Sequence, residues 1–166
     1  MLMIQRVQTV YLLIVVVLMA CLFVVPFAEF ISLSELGSMR FTACGLFETD
    51  ADGRAAAYVM RSTTWPLTVL AALTGVVALI TIMLFKRRML QIRLCVLNMV
   101  LLVGLQVMLI VLVKMLTAQP ELLGGSSQMG FKLIAVSPLI SAILTYLALR
   151  AIGRDEALVR SLDRLR

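Results

Sequence analysis

There is no histidine anywhere in the 166 residues. The commonest general base and the commonest metal ligand are therefore missing. Charge is also scarce. Asp, Glu, Lys and Arg make up 14% of the chain, where a soluble domain averages roughly 25%. No acid lies deep in a long apolar run: Glu29, Glu35, Glu48, Asp50, Asp52 and Glu121 all fall near or beyond the ends of such runs. An intramembrane proton relay would lack its usual carriers. No glycine-rich phosphate loop is present, and no nucleophile stands beside an evident base. Cysteine is limited to Cys21, Cys44 and Cys95, whose spacing fits no metal motif and predicts no disulfide within the chain. Asp50-x-Asp52-Gly53 matches the start of a calcium loop, but Arg61 stands where the bidentate Glu belongs, so a turn is the better reading. No enzyme activity, cofactor or metal is expected.

What the chain does contain is apolar sequence in blocks. Hydrophobic residues make up 62%, and the mean hydropathy is +1.07. Four stretches, 10–28, 66–85, 94–113 and 133–149, have about the ~20 residues a helix needs to cross a bilayer. They predict a single four-span membrane domain over 1–166. Leu18-Met19-Ala20-Cys21 looks a little like a lipoprotein cleavage box. However, Leu22 to Phe27 continues the apolar run, so an uncleaved span is expected. Thr64-Trp65-Pro66 reads as a helix entry at an interface: a capping threonine, a belt tryptophan and a first-turn proline. Thr68, Ala71, Gly75 and Ala78 form a small-residue strip, and Ser137, Ser141 and Thr145 another, each suited to close helix approach.

Between the spans lie two outer loops, 29–65 and 114–132, and a basic inner loop, 86–93, with a charged tail at 150–166. In the first loop, residues 39–49 mix Phe, Thr, Cys and Gly, Asp50 to Gly53 signals a turn, and 55–60 could pair back. A small β-hairpin is expected there. The stretch Lys86-Arg87-Arg88 with Arg93 fixes orientation, because Lys and Arg in short loops remain cytoplasmic. With both termini inside, the inner segments hold ten basic residues and the outer ones five. The bias supports an all-α protein with four transmembrane helices and both termini in the cytoplasm. The basic residues flank apolar runs, so lipid headgroups are the expected partners and nucleic acid is not.

Two groups of residues are candidate sites. In the tail, Leu158, Leu162 and Leu165 share a helical face beside Arg160 and Arg164. That face could dock another protein or lie on the inner leaflet. Within the third span, Asn98 and Gln106 are polar. They could line a path, but they point about 80° apart on an ideal helix, so bonding across helices is the favoured reading. In the basic loop, Met89 to Ile92 is apolar enough to pack, and Glu156 or Asp163 could then meet Arg87 or Arg93.

Several segments together resemble a known family. They are Met3-Ile4-Gln5-Arg6-Val7-Gln8-Thr9-Val10-Tyr11-Leu12-Leu13, Thr64-Trp65-Pro66-Leu67, Lys86-Arg87-Arg88-Met89-Leu90-Gln91-Ile92-Arg93-Leu94-Cys95 and the tail from Arg150 to Arg166. The family is one of small Bacteroidetes membrane proteins built on a domain of unknown function, and the resemblance runs over essentially the whole chain. It implies a bacterial origin, four helices and a Gram-negative inner membrane, and it carries no assigned activity. The layout is also similar to that of claudin-like four-span proteins, in topology alone. The function expected is that of a non-enzymatic scaffold or accessory subunit of a bacterial envelope complex, with other membrane or envelope proteins as partners. The alternative is a small transporter or channel subunit. Homo-oligomerisation is left open.

Overall fold

A computed structural model describes residues 2–32, 37–50, 60–84, 87–118 and 127–163. Helix α1 spans Leu2–Val24 and stops just before Pro26, where the residue ahead of a proline is driven out of the helical region. Strands β1 (Ala28–Ser32), β2 (Gly37–Thr42), β3 (Gly45–Asp50) and β4 (Met60–Thr63) follow. Then come α2 (Trp65–Met83), α3 (Arg88–Thr117), β5 (Ser127–Phe131), a 3-10 turn (Leu133–Val136) and α4 (Ser137–Asp163). Four helices are long and apolar enough to cross a membrane, over Val7–Val24, Trp65–Met83, Arg88–Thr117 and Leu133–Arg154. Each helix packs on the next, and α4 returns to α1, which closes a ring with α1 opposite α3 and α2 opposite α4.

The strands gather at one end of this ring. A hairpin is present in this segment as β2 and β3, but it turns at Ala43-Cys44, inside the stretch 39–49 expected to form a single arm. Residues 51–59 lie outside the described residues, and Met60 pairs with Phe47 on their far side. The hairpin is also only part of the sheet. All pairings are antiparallel, and the order is β4-β3-β2-β1-β5, so the segment between α3 and α4 contributes a strand to the sheet built by the segment between α1 and α2. The first residue of α1 and the last of α4 lie at the opposite end of the bundle from the sheet. The end of α2 and the start of α3 lie there too.

Two differences from the sequence reading have clear physical causes. First, α3 begins at Arg88, inside the basic stretch. Arg, Met, Leu and Gln are good helix formers, and the backbone N–H groups of Leu90 and Gln91 already bond the Arg87 carbonyl. Three arginines in or beside the first turns oppose the helix dipole, so the reason for placing them there is not helix stability. Second, Met89 and Leu90 are exposed while Gln91 is buried. The buried face of α3 runs through Gln91, Cys95, Asn98 and Leu102, and this spacing decides burial regardless of polarity. Cys95 is therefore a core residue. All three cysteines are free: Cys21 half-buried, Cys44 exposed and Cys95 buried.

Candidate functional site

The joint between sheet and bundle is the best-built region. Phe27 leaves α1 and is stitched into the sheet by its backbone: its N–H bonds the Phe41 carbonyl at 2.7 Å, and its carbonyl accepts from Lys132 N at 2.9 Å. Its ring meets that of Phe41 edge to face, with centroids 5.6 Å apart. Both rings are fully buried, in the same apolar cluster as Leu67, Leu116 and Ala135 from the helices. The β2–β3 turn is tied down separately. The Ala43 carbonyl accepts from the hydroxyls of Thr64, at 3.2 Å, and Thr68, at 2.6 Å. Thr64 does occupy the N-cap position of α2, but its side chain reaches the turn and caps no helix N–H.

Charge lies on the sheet at its border with the bundle. Glu29 on β1 stands directly across from Arg40 on β2. Its Oε1 lies 3.3 Å from Arg40 Nε and 2.6 Å from Lys132 Nζ. Solvated pairs of this kind contribute about 0–1 kcal/mol each. Their effect is to hold β1, β2 and the segment after β5 in one arrangement.

The bundle interior carries the second feature. Gln8, Thr74, Thr81, Gln91, Asn98, Ser137, Ser141 and Thr145 are all buried. The threonines satisfy themselves locally: Thr145 bonds the Ser141 carbonyl, Thr81 that of Val77, and Thr74 that of Ala71. Asn98 behaves differently. Both atoms of its amide are buried and neither has a hydrogen-bond partner, and the same holds for Oε1 of Gln106. The bond across helices expected of these two residues is absent. Neither do they converge, since Asn98 faces the core and Gln106 is half-buried at the side of that face. Gln8 and Gln91 escaped the sequence reading because they sit beside charged residues in what looked like flanking segments. The usable signal was helical spacing, which puts Gln91 one turn before Cys95 and Asn98 one turn after it.

The tail candidates are partly placed. Leu158, Arg160 and Leu162 lie on α4, which continues without a break through Asp163, so the tail extends the fourth helix. Leu165 and Arg164 are outside the described residues, as are the side chains of Glu156 and Asp163, and with them the pairing expected with Arg87 or Arg93. Arg87, Arg93, Arg150 and Arg154 are exposed. Among the described residues no group of three or more Cys, Asp or Glu could hold a metal ion.

The family model of a domain of unknown function (DUF4293) matches residues 4–165. The chain belongs to that family. The DUF4293 match takes in all five strands and nearly all of the four helices. Sheet and bundle both fall within the matched stretch. No curated protein matches the chain.

Proposed function

We infer that this DUF4293 protein is a non-enzymatic scaffold or accessory subunit of a bacterial envelope complex. On this reading it sits in the inner membrane, with the sheet outside and both termini in the cytoplasm. The observation that carries the reading is the joint. A five-stranded sheet anchored by two buried aromatic rings, by hydroxyls on the turn carbonyl and by a three-residue charge cluster is a rigid surface held at a fixed angle to the helices. A surface of that kind suits a partner better than a reaction. At the other end the backbone of α4 runs on through Leu158, Arg160 and Leu162, part of the stretch expected to dock a partner. The excess of Lys and Arg in segments at the end away from the sheet supports the orientation.

The experiment is mild-detergent purification at native level from the parent cell, with mass spectrometry of the proteins that accompany it. A stoichiometric envelope protein is expected with the full chain. Removing the residues after Arg154 is expected to lose any cytoplasmic partner and keep an outer one. A chain that purifies alone under every mild condition removes the scaffold reading. Reporter fusions test orientation: periplasmic activity is expected after Asp52 and cytoplasmic activity after Arg88 and Arg166. A periplasmic signal after Arg88 reverses the threading.

A second reading, as a small transporter or channel subunit, is favoured by the unpartnered amides of Asn98 and Gln106, since polar groups inside a membrane bundle often mark a path. It requires solute flux in liposomes that Asn98→Leu removes without loss of assembly.

A further inference from the structure

The buried apolar residues of the bundle fall into two clusters. The larger runs up to the sheet, and the smaller comprises Leu12, Cys95, Ala148 and Ile152 toward the far end. On three of the four helices a buried polar residue marks the step between them. Asn98 lies between Cys95 and Leu102, Thr145 between Ala142 and Ala148, and Thr81 between Ala78 and Ile82. The helices thus place a polar layer at one level of the core.

The hydrogen-bond inventory of this layer is incomplete in a specific way. Thr81 and Thr145 spend their protons on backbone carbonyls at 2.6 and 2.7 Å, which leaves their oxygens free to accept. Ser141 Oγ, one turn from Thr145, has no partner, and neither does either amide atom of Asn98. Asn98 is 1% exposed and Ser141 0%. An unpaired amide is among the costliest groups a membrane helix can bury. The open positions include both donors and acceptors, carry no charge and lie among the small side chains Ala78, Ala142 and Ala148. Water is the species that answers this inventory, since a buried water takes about three hydrogen bonds from such groups.

We propose that Asn98, Ser141 and Thr145 form an internal water-binding site between the two apolar clusters, with Thr81 at its rim. Gln8 and Gln91 lie past the smaller cluster, at the end away from the sheet. They lie one turn beyond Leu12 and Cys95, both are buried, and each leaves Oε1 unpartnered. Toward the sheet, Leu22, Leu105, Leu109 and Phe27 fill the core. The site does not depend on the scaffold reading.

The test is X-ray hydroxyl-radical footprinting of the full chain in phospholipid nanodiscs, because radicals born in bound water label the side chains beside it. Cys95, between Gln91 and Asn98, is a native reporter. Met19, buried in the larger cluster, is the dry control. With rates normalised to the denatured chain, Cys95 is expected to oxidise severalfold faster than Met19. Asn98→Leu is expected to remove that difference and leave Met19 unchanged. Wild-type Cys95 labelled no faster than Met19 overturns the site, whether or not the variant folds. So does a folded Asn98→Leu protein that still labels at Cys95.

Discussion

Replacing Phe27 or Phe41 with alanine is expected to be the most damaging single change in the chain. Both rings are completely buried at the joint, and each fills space against residues from both the sheet and the helices. A Phe→Ala change in a packed core costs about 3–5 kcal/mol, because the lost burial is followed by a cavity that neighbours only partly fill. The surroundings here have little freedom to collapse. The Phe27 backbone is bonded to β2 on one side and to Lys132 on the other, and the turn beside Phe41 is held by Thr64 and Thr68. Leucine at either position is expected to lose less. The two changes should also be coupled, since an edge-to-face pair adds about 0.5–1.5 kcal/mol beyond area. The measurement is a double-mutant cycle of unfolding in mixed micelles of mild detergent and SDS, with amide exchange in β2 and β3 as a local readout of the sheet. A loss below about 1 kcal/mol for both single variants would mean that the sheet is not fixed to the bundle by these rings.

The second large effect is expected at Gly75, and Gly104 is its control. An added Cβ at Gly75 would stand 3.7 Å from the Cβ of Met19, which is ordinary contact, so Gly75→Ala is expected to be tolerated. Leucine there must extend past Met19 at the α1–α2 contact, and overpacking of this kind costs about 1–3 kcal/mol. A shift of α2 from α1 would separate Thr74 from the Met19 sulfur, 3.4 Å away, and carry Ala71 and Ala78 with it. Gly104 lies on the exposed face of α3 and has nothing within 4 Å of an added Cβ. Gly104→Leu is expected to be neutral or mildly stabilising, because glycine is a poor helix residue. The check is the SDS midpoint of the three variants against wild type. Equal effects of leucine at 75 and 104 would show that the α1–α2 contact does not govern position 75.

The contrast between these two glycines shows what could be read in the sequence. Gly75 lay on a strip of small residues at helical spacing, and that periodicity correctly marked a packing face. The four helices were legible for the same reason, since twenty apolar residues in a row leave few alternatives. The sheet was legible only at its centre. Strand β5, Ser127 to Phe131, is five residues containing a glycine, and its own composition gives little reason to extend. It is a strand because β1 offers an edge, which is a tertiary fact. β1 itself, Ala28 to Ser32, was partly absorbed into the end of the first apolar run, because hydropathy does not distinguish a helix end from a strand start. Asn98 could be seen as polar inside a span, but that it would be buried without a partner could not. That depends on what three other helices place beside it.

The strand order has a consequence for how the chain is made. β1 is synthesised early, yet its second neighbour, β5, follows α3 and is about a hundred residues further along. Until β5 is made, one side of β1 presents open backbone groups, next to a charge cluster that still lacks Lys132. α1 likewise waits for α4 to close the ring. The last quarter of the chain thus completes two structures at once, one on each side of the Phe27 joint. A ribosome that stops before residue 127 releases a protein with an exposed strand edge and an open bundle, the form most prone to mispairing and degradation.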